Sequence, residues 1–399
     1  MKRNIFLLSI VIMLGLFSGC DDYINEVDPL IDQVEDARLT AEGQVRFQIT
    51  GVKQGFSVIS SQIGCQSDLL SDALEYSNQN PDASFPQFEE INTGVIALNN
   101  NSIAGTWNSL HSLRFMADTL AVRVGQITFT NAALKNEALF TATFYGSIAR
   151  FYLGTTFALT KTEPGASINA GPFIPAATLL DDALNLAKSS LTYTTDAYMI
   201  KVVNSFIAKI YLAKGDYANV NTYAAKGMQK NDADFTALNH DASQTYFWGF
   251  AGNGRKQIHV ADRFGAYVKA DPKEAARIAV KEFTFGGATH YYQNKYPDKS
   301  SAYVFLTWKE NNLMLAEASL RGQGSGNALA LVNEVRASYG IANLATVNLD
   351  VLYAERDKEL FCQGTRLIDQ HRFGKWHLTA ESWKQFPIPQ RERDNNSNF

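Results

Sequence analysis

The sequence predicts an all-α protein with a tetratricopeptide-like helical-repeat scaffold and loop-rich insertions. Two observations lead to this fold class. Residues 197–230 have the spacing of large, small and aromatic side chains that is typical of a tetratricopeptide hairpin. Elsewhere, apolar residues recur at steps of three and four over stretches that glycine, proline and asparagine separate. Helix pairs of this kind bury their apolar faces only by stacking on one another, which favours one continuous helical domain.

The hairpin at 197–230 carries the repeat signal most clearly. Its helices are predicted at 197–214 and 218–230, and its repeat positions are Ile207, Ala208, Tyr211, Gly215, Tyr217, Val220 and Ala224. A second hairpin at about 304–340 keeps the small residues and a glycine-rich turn but loses both aromatic positions. For that second hairpin, an ordinary antiparallel helix pair is the alternative to a repeat.

The remaining elements follow from the same periodicity. Further helices are predicted at 39–61, 102–123, 132–153, 179–191 and 349–362. In the helix at 102–123, the expected core residues are Trp107, Leu110, Leu113, Phe115 and Leu120. Residues 231–302 instead contain glycines, prolines and aromatic clusters, which indicates a loop-rich insertion with one possible short strand at 282–285. Two prolines make 386–389 extended.

The first 19 residues predict a lipoprotein signal peptide that is not part of the fold. Lys2 and Arg3 precede an apolar run over 5–17, which is too short to span a bilayer stably. The sequence Phe17-Ser18-Gly19-Cys20 resembles a bacterial lipobox. We therefore expect lipidation of Cys20, an acidic tether over 20–38 and a single domain over 39–399. A plain secretory signal is the alternative.

Catalytic and metal-binding motifs are absent from the sequence. The glycines of 322–326 fit neither a nucleophile elbow nor a phosphate loop, and the six histidines lack zinc spacing. The net charge of -4 gives no indication of a basic surface that would bind nucleic acid. We predict no enzyme activity, no metal and no cofactor, although carboxylates from distant segments could still form a catalytic pair. Cys65 and Cys362 are expected to be buried free thiols.

Charges alternate in sign along the C-terminal helices. The residues concerned are Glu355, Arg356, Glu359, Arg366, Asp369 and Arg372. One interpretation is an anion or partner site. The other is a network of ion pairs that fixes the last helices to the scaffold, and the helical spacing favours this second interpretation.

Ligand binding is predicted for aromatic residues of the 231–302 insertion. Sugar rings stack on Trp and Tyr side chains, while their hydroxyls bond to polar groups. The rings in this insertion lie beside glycines and polar residues without helical periodicity, which favours exposed loops. The candidate ligand-binding residues are Trp248, Tyr246, Tyr291, Tyr292 and Arg255, with Trp107, Asp68 and Asp72 from the N-terminal helices. Burial in the core is the alternative for each ring.

Taken in chain order, these features resemble the SusD/RagB family, the nutrient-binding outer-membrane lipoproteins of Bacteroidetes. The resemblance begins at Cys20 and its acidic continuation. It continues through Asp68-Leu69-Leu70-Ser71-Asp72, Trp107-Asn108, Ala208–Tyr217, Leu315-Ala316-Glu317-Ala318, Val332–Ala337, Glu355-Arg356, Glu359-Leu360, Gly364-Thr365-Arg366, Arg372-Phe373-Gly374 and Pro387-Ile388-Pro389. The chain is shorter than many members, and the missing length would fall in the loops that carry the ligand site.

The resemblance implies a lipid-anchored protein on the outer membrane, facing the cell exterior. It would bind a nutrient, with an oligosaccharide as the expected ligand, and deliver it to a TonB-dependent, SusC-like outer-membrane transporter. The alternative is a lid or assembly subunit of such a transporter that binds peptide or protein. A hydrolase is the least favoured hypothesis.

Overall fold

The structure, a computed structural model, describes residues 39–240 and 244–399. This part of the chain is mainly helical, which confirms the predicted fold class. The α-helices are α1 Val45–Leu70, α2 Gln87–Thr93, α3 Asn101–Gln126, α4 Ala132–Thr156, α5 Ala176–Ser190, α6 Ala197–Lys214, α7 Tyr217–Ala224, α8 Tyr246–Ala251, α9 Asp262–Ala270, α10 Trp308–Leu320, α11 Ala328–Ala337, α12 Leu349–Glu359, α13 Arg366–Phe373 and α14 Gln390–Asn395. The predicted signal peptide, Cys20 and the tether lie outside the described residues.

The strands are short. They are β1 Leu74–Tyr76, β2 Phe157–Thr160, β3 Glu163–Ala166, β4 Ile174–Pro175, β5 Phe235–Ala237, β6 Ile258–Val260, β7 Val280–Phe285, β8 Ala288–Gln293, β9 Tyr303–Leu306 and β10 Phe386–Pro387. They form sheets in the orders β1-β6-β8-β7, β10-β2-β3-β4 and β5-β9. None of the helices within 39–240 and 244–399 is long and apolar enough to cross a membrane.

The three longest helices, α1, α3 and α4, pack against one another and form the centre of the domain. Asn100 and Asn131 cap α3 and α4, since their side chains accept the N–H groups of Ile103 and Leu134. Residues 141–149 of α4 are buried on every side. A helix that is covered all round lies inside a domain rather than on its surface, so α4 is the central helix.

The predicted repeat hairpin is present as α6 and α7. Asp196 caps α6, and Gly215 ends it with a φ of 73°, a conformation that glycine adopts without strain. The next pair, α10 and α11, packs beside it. Asn311 of α10 joins the two pairs, because its Oδ1 accepts from Ser205 Oγ at 2.9 Å and its Nδ2 donates to the Ala224 carbonyl at 2.8 Å.

Three predictions about local structure were wrong. The helix expected from residue 304 is a strand, β9, until Leu306, and α10 begins at Trp308 after the Thr307 cap. The first helix continues past Gly64 to Leu70. Phe115, expected in the core, is 58% exposed on α3. The predicted short strand is confirmed as part of β7, although 231–302 also contains α8 and α9.

The alternating charges form the predicted network of ion pairs. Arg356 holds Asp369 through two bonds of 2.7 and 2.9 Å, and Arg372 reaches Glu317 at 2.8 Å. Burial would raise the pKa of Asp369, but Arg356 and Arg372 lower it to about 2. These ion pairs fix α12 and α13 to α10, so the charged side chains hold the last helices on the scaffold. Cys65 and Cys362 are buried free thiols, as predicted.

Candidate functional site

The predicted ligand-binding residues do not converge on one site. Trp248 and Tyr246 both lie on α8 and are half-buried. The hydroxyl of Tyr246 accepts a bond from Gln66 at 3.2 Å, so its polar end points to α1. Trp248 packs against Gly254, and Lys299 Nζ lies 5.3 Å from its ring. Binding by Trp248 therefore stays a prediction.

Tyr291 and Tyr292 are buried in β8. The Tyr291 ring lies against the backbone of Gly265, where a Cβ atom would come within 2.1 Å of it. Tyr292 is only 9% exposed, and Lys256 Nζ lies 5.1 Å from its ring. Because successive side chains of a strand point to opposite faces of the sheet, the two rings lie on different faces, and each is covered there. For this pair, the expectation of exposed rings gives way to the core alternative.

Trp107 also belongs to the core. It is 5% exposed and packs edge-on to Phe157, with the ring centres 5.0 Å apart. The periodicity of α3 had already placed it among apolar residues. A ligand therefore has no open approach to this ring.

Asp68 and Asp72 hold the scaffold together. Asp68 is buried, and its Oδ2 accepts the Gly364 N–H at 3.1 Å. Burial raises the pKa of Asp68 to about 7. Asp72 accepts two bonds from Arg366, at 2.6 and 2.9 Å, and further bonds from Arg263. Both carboxylates are thus used in joining α1 to later elements.

Arg255 remains exposed on the surface beside the loop before α2. Its Nη1 donates to Ser84 Oγ at 2.9 Å, and its guanidinium lies 5.8 Å from the ring centre of Phe85. Phe85 is itself partly exposed and packs edge-on to Phe250. Arg255 is therefore the predicted polar residue that the structure leaves at an accessible aromatic surface.

The structure reveals another pocket nearby, on the sheet β1-β6-β8-β7, which we call the sheet pocket. Its hairpin closes through Gly286 and Gly287, whose φ values of 59° and 78° suit a two-residue turn. The sheet brings together side chains from three distant parts of the chain. The pocket measures about 390 Å³, and its lining consists of Glu75, Tyr76, Ser77, Gln79, Asn92, His259, Phe285, Gly286, Ala288 and His290.

Stacked rings form one wall of the sheet pocket. Phe285 and His290 are nearly parallel, at an interplanar angle of 16°, and their centres are 3.8 Å apart. His259 stands edge-on to His290 at 5.0 Å, and its Nε2 lies 3.3 Å from Glu75 Oε2. The Nδ1 atom of His259 is buried and has no hydrogen-bond partner among the described residues. Of these rings, His290 is half-buried and can present a surface to a ligand, whereas Phe285 and His259 are buried.

The chemistry of this lining favours binding over catalysis. Glu75, Gln79 and Asn92 supply carboxylate and amide groups that can bond to hydroxyls. Among the described residues of the lining, Glu75 is the one carboxylate, whereas glycoside hydrolysis ordinarily needs two that flank the bond. Within 39–240 and 244–399, no three His, Cys, Asp or Glu side chains are arranged to hold a metal ion.

Sequence reasoning missed most of the sheet pocket. The alternation of residues on either side of Gly286-Gly287 is a hairpin signal that could have placed Phe285 and His290 together. No local signal could have shown that β1 and β6 lie beside this hairpin.

The comparisons with known proteins agree with this architecture. Residues 288–399 match the family model described as SusD family. No curated protein matches the sequence significantly. Solved structures that share the fold, with TM-scores above 0.7, include three proteins with 13–16% sequence identity to this chain.

A SusD superfamily protein from Bacteroides thetaiotaomicron VPI-5482 is 16% identical, with a TM-score of 0.74, and the alignment covers 90% of this chain and 98% of that chain. A SusD-like carbohydrate binding protein from Bacteroides vulgatus ATCC 8482 is 13% identical, with a TM-score of 0.71 and coverage of 90% and 97%. Surface glycan-binding protein A from Bacteroides thetaiotaomicron, in complex with laminarihexaose, is 14% identical, with a TM-score of 0.72 and coverage of 90% and 98%.

The protein thus has a tetratricopeptide-like helical fold of the SusD type. Together, the match over 288–399 and the shared fold confirm the resemblance to the SusD/RagB family. The alignments cover nearly the whole of each solved chain.

Proposed function

We propose that this protein is a surface nutrient-binding protein whose ligand is an oligosaccharide. The observation that carries the proposal is the sheet pocket, where a stacked pair of rings lies beside amide and carboxylate groups. The apolar face of a sugar can rest on the half-buried ring of His290, while its hydroxyls bond to Glu75, Gln79 and Asn92. Surface glycan-binding protein A from Bacteroides thetaiotaomicron, a protein of similar fold, was solved in complex with laminarihexaose, which supports this class of ligand.

The ligand we favour is uncharged. Glu75 is close to His259, and the described residues that line the pocket include no Lys or Arg. A phosphate or carboxylate group on the ligand would therefore meet no cation there. Neutral oligosaccharides suit such a lining better than acidic ones.

Binding is tested with titration calorimetry against a panel of neutral oligosaccharides and, in parallel, peptides. Gln79→Ala and Asn92→Ala each remove a polar group from the pocket without touching the core, so we expect each to weaken oligosaccharide binding about tenfold or less, at roughly 0.5–1.5 kcal/mol per hydrogen bond. Asn108→Ala, at an exposed position of α3, is the matched control and should bind normally. Trp248→Ala tests whether this predicted ligand-binding residue on α8 contributes to oligosaccharide binding.

The outcomes separate the two functional classes. Binding of peptides but not sugars would favour the lid or assembly subunit and contradict the glycan proposal. If sugars bind but only Trp248→Ala weakens them, the ligand lies on α8 and not in the sheet pocket.

We further propose that the protein is anchored through Cys20 and serves a TonB-dependent transporter. Two or three acyl chains hold a protein on a membrane, whereas a single chain gives only marginal binding. Cys20→Ala should therefore move the protein from the membrane to the soluble fraction. Mild detergent extracts of cells with the wild-type chain should yield a co-purifying outer-membrane transporter, with or without cross-linking. Extracts that yield the anchored protein alone, even after cross-linking, would refute the partnership.

A further inference from the structure

A second and larger cavity lies away from the sheet pocket and shares no lining residue with it. We call it the helical groove. It measures about 830 Å³ and runs between α1, the first turns of α4, the segment 192–196 and β5. Its lining includes Thr50 and Gln54 of α1, together with Asn136 and Phe140 of α4.

The floor of the helical groove is apolar. It is formed by Phe140 and Met199, which are half-buried, and by Phe56, Tyr145 and Phe235, which are buried. Leu238, which also lines the groove, is 72% exposed. Contiguous apolar surface of this kind generally marks a place where another segment or molecule docks.

The described chain begins at one end of this groove. The carbonyl of Leu39 accepts a bond from Gln48 Nε2 at 2.8 Å, beside the start of α1. The carboxylate of Glu42 accepts the backbone N–H groups of Thr130 and Asn131, at 3.0 and 2.9 Å, at the start of α4. The starts of α1 and α4 lie at one end of the groove, because Thr50 of α1 and Ala133 of α4 are among its lining residues. The residues before Leu39 therefore join the body next to an apolar floor that is partly exposed.

The sequence of the preceding segment carries a matching stripe. Val27, Leu30, Ile31 and Val34 have the spacing i, i+3, i+4, i+7, which places them on one face of a helix. Asp28 followed by Pro29 is a typical start signal for a helix. A helix over these eight residues would be about 12 Å long. The five residues from Val34 to Leu39 can span up to about 17 Å, so the stripe can reach the groove.

Charge on the rim favours the same occupant. Arg46 and Lys53 are both exposed on α1, and they share one carboxylate, that of Glu137, at 3.7 and 3.5 Å. The segment has further carboxylates off the stripe, at Asp28, Asp32, Glu35 and Asp36. A carboxylate from this segment would give Arg46 and Lys53 a second acidic partner beside Glu137.

We propose that residues 27–34 dock in the helical groove as an amphipathic helix, with the stripe against the apolar floor. The inference does not depend on the ligand of the sheet pocket. Its consequence for anchoring rests on the proposed lipidation of Cys20. Undocked, the 19 residues from Cys20 to Arg38 could extend over about 65 Å, whereas docking leaves only residues 20–26, which span about 24 Å. Docking would hold the body close to the membrane.

Cross-linking in the whole exported chain tests the docking directly. A photoreactive benzophenone residue at position 31 should form cross-links to peptides that contain Phe140, Tyr193 or Met199. A mixture of ¹⁴N- and ¹⁵N-labelled protein distinguishes links within one chain from links between two. Cross-links that fall outside the groove would overturn the proposal. Links only between chains would overturn it too, since a second copy would then be the occupant.

Hydrogen exchange supplies the second readout. Leu30→Asp and Ile31→Asp each remove an aliphatic side chain from the stripe, so we expect undocking to rise about tenfold or more and exchange at 192–196 and 236–238 to rise with it. Gln33→Asp adds the same charge off the stripe and should leave exchange unchanged. If exchange in the groove is insensitive to the stripe variants but falls on addition of an oligosaccharide, the groove is a sugar site and the segment does not occupy it.

Discussion

At the scale of single residues, Asp68 illustrates how a polar side chain can mislead sequence analysis. It was predicted to contribute to the ligand site from the N-terminal helices. In the structure α1 extends over it, and its carboxylate accepts the Gly364 N–H across nearly three hundred positions of sequence. The residue thus positions a turn of the C-terminal region.

The raised pKa of Asp68 predicts how the stability of the folded protein depends on pH. Burial raises its pKa to about 7 in the folded protein, whereas an aspartate in the unfolded chain titrates near 3.9. Between these values the folded state holds the extra proton, so this residue's contribution to the free energy of unfolding falls as pH rises from about 4 to 7 and is constant above that. Asp68→Asn removes this contribution. We expect the free energy of unfolding of the variant, relative to wild type, to increase over that window.

Urea denaturation at several pH values between 4 and 8 measures this difference. Asp298→Asn, at an exposed aspartate, is the control. Stability curves of Asp68→Asn and wild type that run parallel from pH 4 to 7 would show that the carboxyl is already ionised when folded.

At the scale of elements, α1 shows what local patterns can and cannot predict. Periodicity found most of the helices, because the buried face of a helix repeats within the window that the pattern samples. It stopped α1 at Gly64, although the helix continues for six more residues. It also missed β9, since this strand is held by β5, about seventy positions earlier, and pairing of that kind leaves no local trace.

Close packing explains why a glycine stands at position 64 inside α1. A Cβ atom at this position would lie 2.4 Å from Tyr303 Oη, and one at Gly364 would lie 2.5 Å from the Gly64 Cα. Gly64→Ala should therefore lower the free energy of unfolding by roughly 1–3 kcal/mol, because the core must shift. Gly105→Ala on α3 is the matched control, since its nearest atom would be 3.8 Å away. It should stabilise the protein by about 0.5–1 kcal/mol through helix propensity. Chemical denaturation of both variants measures the contrast, and a stabilised Gly64→Ala would contradict the packing argument.

At the scale of the whole molecule, the candidate site depends on contacts that cross the chain. The sheet pocket takes Glu75 from β1, His259 from β6 and His290 from β8. Sequence analysis predicted a ligand site within 231–302 because the composition of this region differs from that of the helical scaffold, and the region supplies His259, Phe285 and His290 to the pocket. It could not find the N-terminal half of the pocket, since the pairing of Leu74 with Val260 joins segments far apart in sequence.

The same dependence predicts that the family-matched segment does not fold alone. Residues 288–399 contain Arg366 and Glu355, whose partners Asp72 and Arg277 lie before residue 288. Removing one partner of a buried pair costs about 3–5 kcal/mol, which is comparable to a domain's whole stability. We expect a 288–399 fragment to lack a cooperative unfolding transition by circular dichroism. Co-expression with the fragment that ends at the exposed Gly287 should restore it, because the cut falls in the turn between β7 and β8. A cooperative transition of the 288–399 fragment by itself would show that the C-terminal helices form an independent unit, and that their ion pairs with the N-terminal half are dispensable.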